Sequence, residues 1–236
     1  GQRARPHLQG RLRGHGATVN FSPGAGKIQF TAAVAGINSI MGGWATLNGV
    51  DFAASVGAGF WVAASTQSTL LTSGSSALTN YQYGGDITTT GATPVNSLKI
   101  WGGTVSGDNL LTITAASATS VGGILFVNSF GAGGIAGFTG ITATDVSGAE
   151  VIISVGGTTP ANVFTVSSPI VKQTTNTVAF TKSGSGILLL RGNSTYTGNT
   201  YIDEGTVRLS GATANLLGTI SVAGNVTTIR QAATLD

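Results

Sequence analysis

Cysteine is absent from this chain of 236 residues. That excludes disulfides, thiolate catalysis and cysteine-based metal sites. Charge is scarce: Asp, Glu, Lys and Arg make up 8% of the sequence, against roughly 25% in an average soluble domain. Histidine occurs twice, at His7 and His15. Both fall in the first 16 residues, so the body of the chain offers no histidine to serve as the base of a Ser–His–Asp triad. Long apolar runs are missing too. No stretch approaches the roughly 18 residues of a membrane helix, and GFWVAA is far too short. No apolar signal-peptide core precedes the body, so secretion requires that a signal has been removed or that the chain is a fragment.

Glycine is what the chain has in abundance. Its 37 residues are more than double the average share of roughly 7%, and Ser, Thr and Asn supply much of the remaining polarity. Hydrophobic residues reach 41%, enough for a core and too many for simple disorder. A long, weakly charged chain of short β-runs separated by Gly, Ser, Thr and Asn is unlike a cytosolic enzyme and suits an extracellular solenoid or fibre. All-β folds of this length are often single domains.

Residues 1–16 do not match the rest. They hold four of the eleven basic residues, Arg3, Arg5, Arg11 and Arg13, and without them the body carries seven basic against eight acidic residues. Two readings stand: a basic arm that contacts an anionic surface or a neighbouring subunit, or a flexible leader. No basic patch with interleaved aromatics continues into the body, which weighs against nucleic-acid binding.

The β-pattern begins at Ala17 and extends to Asp236 as one unit without a dividing linker. Within Met41–Ala53, MGGWATLNGVDFA, the pair Asn48-Gly49 signals a tight turn between Trp44–Leu47 and Val50–Phe52. Trp44 and Phe52 read as packing residues; a sugar-stacking platform is the alternative for Trp44. Residues 64–97 read as an irregular insertion, whose Tyr81, Tyr83 and Asp86 join Trp44 as a candidate ligand or interface surface. From Asn96 onward strands are expected at 97–100, 110–114, 124–127, 140–143, 151–155, 163–166, 176–181, 187–190, 200–202, 206–209 and 219–222. Glycine-rich stretches such as WGGTVSGDN and NSFGAGGIAGF read as connections. GAGGIA has a Gly-x-Gly-x-x-Ala spacing, but no helix follows it, so it reads as a loop.

The most ordered stretch is Lys182–Ser210, KSGSGILLLRGNSTYTGNTYIDEGTVRLS. Its apolar residues alternate, so that Leu188 shares a face with Leu190, and Val207 shares one with Leu209. Its corners are turn residues. The ordered set Lys182, Gly184, Gly186, Leu188, Leu190, Gly192, Asn193, Tyr196, Gly198, Thr200, Ile202, Gly205 and Val207 resembles the autotransporter-associated β-strand repeat, also called the passenger-associated transport repeat, with Asn193 one place early. The GGWATLNGVDF segment is similar to one that precedes the repeat in long members of that family. The resemblance implies an all-β, right-handed parallel β-helix (β-solenoid), secreted or at the cell surface of a Gram-negative-type bacterium. It also implies a structural repeat, at 182–209, that assists secretion and carries no catalytic residues. An ordinary β-sandwich hairpin is the alternative for this stretch.

The catalytic inventory is thin. Asp203 and Glu204 are neighbours on a turn, where they read as a solvated corner rather than a paired-acid site. Asp51, Asp86, Asp108, Asp145 and Glu150 are scattered, and DVSGAE has too few carboxylates for a calcium loop. The expectation is therefore a non-catalytic extracellular solenoid with no cofactor and no metal, a subunit of a self-assembling fibre, sheath or adhesive stalk. The expected partners are further copies of itself, with surface glycans as a further candidate. The alternative is a glycan-binding or polysaccharide-cleaving β-helix module, which rests on fold analogy. A groove lined by close carboxylates and an aromatic would favour it.

Overall fold

The computed structural model describes residues 14–30, 34, 36–57, 61–117, 120–129, 131–156, 163–172, 174–211, 215–219, 226–230 and 232–236. Among them there is no helix, and twenty-two strands follow one another. Strands β1 (Val19–Phe21), β2 (Ala45–Leu47), β3 (Asp51–Val56) and β4 (Trp61–Ala64) form a sheet of their own. After a short β5 (Ser68–Thr69), the chain repeats a circuit. The first is β6 (Asn80–Tyr83), β7 (Ile87–Thr89) and β8 (Thr93–Val95). The second is β9 (Ser97–Ile100), β10 (Gly103–Gly107) and β11 (Leu110–Ile113). The third is β12 (Gly123–Val127), β13 (Gly133–Ala136) and β14 (Gly140–Ala143). Four shorter passes follow: β15 (Ala149–Gly156) with β16 (Val163–Val166), β17 (Val178–Ser183) with β18 (Ile187–Leu190), β19 (Thr200–Ile202) with β20 (Gly205–Leu209), and β21 (Thr227–Ile229) with β22 (Ala233–Leu235).

Each circuit returns beside the strand laid down one circuit earlier. This yields an eight-stranded sheet β21-β19-β17-β15-β12-β9-β6-β5, a seven-stranded sheet β22-β20-β18-β16-β13-β10-β7 and a three-stranded sheet β14-β11-β8, all parallel within themselves. An all-β chain with parallel strands in several sheets and this strand order is consistent with a β-helix.

Register stacks like on like. In the seven-stranded sheet one inward column runs Ile87, Val105, Ile135, Val166, Leu190, Leu209. In the eight-stranded sheet another runs Tyr81, Leu98, Ile124, Ile153, Lys182, Ile202, and the register carries on to Ile229, which is exposed. These columns and the rings of Phe126 and Phe164, stacked at 4.7 Å, form one continuous core. The inward assignments made from alternation hold: Leu188, Leu190, Ile202 and Val207 are buried, Leu209 packs against the core and Arg191 is exposed.

The two large sheets differ on their outer faces. Strands β16 and β18 alternate between half-buried and buried residues, as a sheet with one face in solvent does. Strands β12, β15 and β17 are buried at every position. The reason is a strap: the described residues between 14 and 64 lie across the outer face of the eight-stranded sheet. Phe52, Ile37 and Ile40 of the strap pack on Leu125 and Val127 of β12, while Met41, Ala45 and Ala53 form a small core within it. The described residues between 17 and 64 thus form a layer outside the stack of circuits.

Other departures from the sequence reading are local. Residues 64–97, read as an irregular insertion, contain β5, β6, β7 and β8 and hence the first complete circuit. Two stretches read as connections are strands, β10 and β13, the latter taking in most of GAGGIA. The strand expected at 176–181 runs at Val178–Ser183. Residues 1–13 of the basic arm lie outside the described residues, as does the strand expected at 219–222 from residue 220 onward.

Candidate functional site

Lys182 occupies a position in the inward column where every other member is Tyr, Leu or Ile. Its side chain is fully buried. The aliphatic stem continues the column, and the ammonium turns into the corner that follows β17. There it donates to the carbonyls of Ser183 at 2.8 Å and of Gly184, and to Glu204 O at 2.8 Å. The first two oxygens belong to its own corner and the third to the corner one circuit later. One ammonium with three N–H donors thus satisfies three carbonyls and joins two successive corners. Burial lowers the pKa of Lys182 from 10.5 to about 7, with the charges of Glu204 and Asp203 pulling it back upward.

The glycines make that corner possible. Gly184 and Gly205 have φ of +72° and +68°, the left-handed region that side chains resist. A Cβ on Gly205 would stand 2.5 Å from the carbonyl oxygens of both Gly184 and Gly186. Gly186 is buried, donates to Val155 O at 2.9 Å and accepts from Thr206 N at 3.2 Å. Gly192 lies against the Ser168–Pro169 backbone of the preceding pass and Gly198 against Val178–Ala179, both within 2.6 Å of where a Cβ would sit.

Tyr196 and Thr200 complete the repeat. Tyr196 is fully buried, its ring 5.9 Å from that of Phe180, and its hydroxyl meets Thr200 Oγ1 at 2.6 Å. Burial raises the phenol's pKa above its usual range, against the smaller lowering effect of the Thr200 hydrogen bond, so it stays protonated. Asn193 departs from its expected place. It is exposed, and the neighbouring Ser194 is the buried residue, accepting from Ile170 N at 3.1 Å.

The candidate ligand surface does not assemble. Tyr81 is 7% exposed and sits in the core, its hydroxyl accepting from Ser76 N at 3.0 Å. Tyr83 is half-buried against the same core. Asp86 is exposed and caps Thr104 N at 2.8 Å. Trp44 is in the strap, packed between the strap's core and the main one.

The GGWATLNGVDF segment, to which the sequence assigned no role, anchors the strap. Gly43 donates to Val121 O at 2.8 Å, and its Cα presses on the Gly122–Gly123 backbone, where a Cβ would stand 2.2 Å from Gly122 O. The Asn48-Gly49 turn forms as expected: both residues have positive φ, and Val50 N donates to Leu47 O at 3.1 Å. Phe52 is fully buried.

Polar latches fix the strap along its length. Asn38 donates to Asn96 Oδ1 at 3.0 Å, Asn80 Nδ2 to Asn38 O at 2.7 Å, and Asn96 Nδ2 to Asn80 Oδ1 at 2.6 Å. Lys99 Nζ meets Asp51 Oδ1 at 2.6 Å. Glu150 is fully buried, its Oε1 accepting from Gly16 N at 3.0 Å and from the Thr181 hydroxyl. Thr18 Oγ1 donates to Asp203 Oδ2 at 2.9 Å, while Arg230 Nε meets Asp203 Oδ1 at 2.7 Å. Asp203, read as solvated, thus has a side chain only 7% exposed, whereas Glu204 is exposed as expected. The residue types in these latches carry no sequence signal, because their partners lie up to 185 residues away.

Between strap and sheet lies a cleft of about 460 Å³. Thr18, Asn20, Asn48 and Gly49 line one wall, and Ser154, Ser183, Ser185, Asp203, Glu204 and Arg230 the other. Its lining holds two carboxylates and no aromatic.

Residues 180–209 match the model of the passenger-associated transport repeat. The chain carries this repeat, and the corner of Lys182, the close-packed glycines and the Tyr196–Thr200 pair are its structure here. No curated protein and no solved structure matches the chain.

Proposed function

We propose that the chain is part of an autotransporter passenger, a right-handed parallel β-solenoid secreted by, or displayed on, a Gram-negative-type bacterium. Its role is structural and non-catalytic, and it associates with further copies of itself into a fibre, sheath or adhesive stalk. The observation that carries this reading is the fate of the repeat residues. Lys182, Gly184, Gly186, Leu188, Leu190, Gly192, Tyr196, Gly198, Thr200, Ile202 and Gly205 are engaged in laying one pass of chain on the next. The repeat is a device for stacking, and stacking makes a rod.

Low charge supports association. The chain has eleven basic and eight acidic residues in 236, so little repulsion opposes contact between copies. Negative-stain microscopy and light scattering at increasing concentration test the assembly. Rods, sheaths or end-to-end particles are expected, and a monodisperse monomer throughout would contradict it.

A further inference from the structure

We propose that the cleft between strap and sheet is a saccharide-binding site, taking one or two sugar units through their hydroxyl groups. The inference is independent of how the chain assembles. The volume of about 460 Å³ falls within the range of small-ligand sites, roughly 300–1,000 Å³. The walls come from two layers that are separate in sequence. The strap presents the exposed carboxamide of Asn48, held outward by a turn whose φ at that residue is +55°. The sheet presents the exposed carboxylate of Glu204, the exposed hydroxyl of Ser185 and the guanidinium of Arg230, whose side chain is 48% exposed beyond its bond to Asp203. The same wall carries the hydroxyl pair Ser183–Ser154, 3.0 Å apart.

The chemistry of these groups selects among ligands. An anion such as phosphate meets two carboxylates and one guanidinium that is already paired with Asp203, so the field is wrong for it. A divalent cation would need carboxylate oxygens in number, and those of Asp203 accept from Thr18 and Arg230. An apolar ligand finds no aromatic and little beyond Ala17 and Val19. A neutral polyol fits: its hydroxyls donate to Glu204 and to the Asn48 carbonyl, and accept from Arg230, the Asn48 amide and Ser185. Without an aromatic ring to stack on, the affinity belongs in about the millimolar range.

Isothermal titration calorimetry with lactose, cellobiose and N,N′-diacetylchitobiose tests the site on the intact chain. At least one should bind saturably. Glu204→Gln removes the acceptor charge from the sheet wall while keeping the backbone carbonyl that Lys182 uses. Asn48→Gly removes the carboxamide from the strap wall and keeps the turn, because glycine accepts the same φ. Each should weaken binding about tenfold while the far-ultraviolet circular dichroism stays that of wild type, and Asp86→Asn, at a remote corner, should leave binding as it was. Failure of all three sugars to bind would overturn the proposal. So would binding that either cleft variant leaves unchanged, or that Asp86→Asn weakens equally.

Discussion

Single side chains in the repeat have calculable consequences. Leu190 stacks between Val166 and Leu209 with its side chain buried, while Arg191 beside it faces solvent. Truncating a buried leucine to alanine costs about 2–5 kcal/mol, whereas most surface changes stay within about 0.5 kcal/mol. Leu190→Ala should lower the denaturant midpoint clearly and Arg191→Ala scarcely, and equal small losses would contradict the inward column. Lys182 predicts a pH effect. Its folded pKa, about 7, lies below the ordinary value of 10.5. Between those values the unfolded chain binds the extra proton, so stability rises with pH across that window, by up to about 1.4 kcal/mol per pH unit from this group. Below about pH 7 both states are protonated and the contribution is flat. Lys182→Met keeps the stem and removes the titration, so its urea stability should lack the part of the rise that wild type shows between pH 7 and 10. Parallel profiles for the two proteins would refute the assignment. The alternating leucines were legible in the sequence because burial on one face leaves a period of two. The inward direction of Lys182 was not, since a lysine in a strand ordinarily marks solvent, and it takes three corner carbonyls and the nearby charges of Glu204 and Asp203 to make its burial tolerable.

At the scale of the element, the sequence located strands where β-branched and aliphatic residues alternate: 97–100, 140–143, 163–166, 187–190 and 200–202 coincide with β9, β14, β16, β18 and β19. It passed over β10, GTVSG, and β13, GGIA, because glycine reads as a turn. In a parallel stack the neighbours above and below supply the backbone bonds, and the missing side chain makes room for a ring from elsewhere. A Cβ on Gly133 would stand 2.3 Å from the Phe126 ring, and one on Gly107 equally close to the ring of Phe138. Glycine in these strands complements phenylalanine. The same close approach at Gly198, where a Cβ would meet Val178 O at 2.6 Å, predicts that Gly198→Val forces β17 and the following pass apart. Overpacking of this kind costs about 1–3 kcal/mol, readable as a lower thermal midpoint, while Ser185→Val, at an exposed corner in the same repeat, should change it little. If both variants melt together with wild type, the passes are not in contact at Gly198.

At the scale of the molecule, the described residues form a stack with one continuous core and a strap with a small core of its own. The sequence announced the strap's turn and its buried aromatic, yet not its place, because docking depends on contacts such as Gly16–Glu150 and Thr18–Asp203, 134 and 185 residues apart. The two parts are held differently. An inner strand of the stack, such as β18, has a hydrogen-bonded ladder on both sides, to β16 and β20, and a buried inward face. The strap meets the eight-stranded sheet through side chains, polar latches and backbone bonds such as Gly43 N–H to Val121 O. Local opening free energy scales with the contacts an opening must break, so the strap should open at lower free energy than the stack. Native-state hydrogen exchange should therefore show amides of β2 and β3 exchanging before those of β15 and β18. Gly43→Val, which places a side chain against the Gly122–Gly123 backbone, should speed exchange in β2 and β3 further while leaving β18 protected, because β18 belongs to the seven-stranded sheet and Gly43 bears on the start of β12 in the eight-stranded one. The lifted strap would uncover Leu125 and Val127, so the variant should also bind a hydrophobic dye that wild type does not. Exchange at one common rate in strap and stack, in both proteins, would mean that they unfold as a single unit and that the strap is as integral to the fold as the circuits it covers.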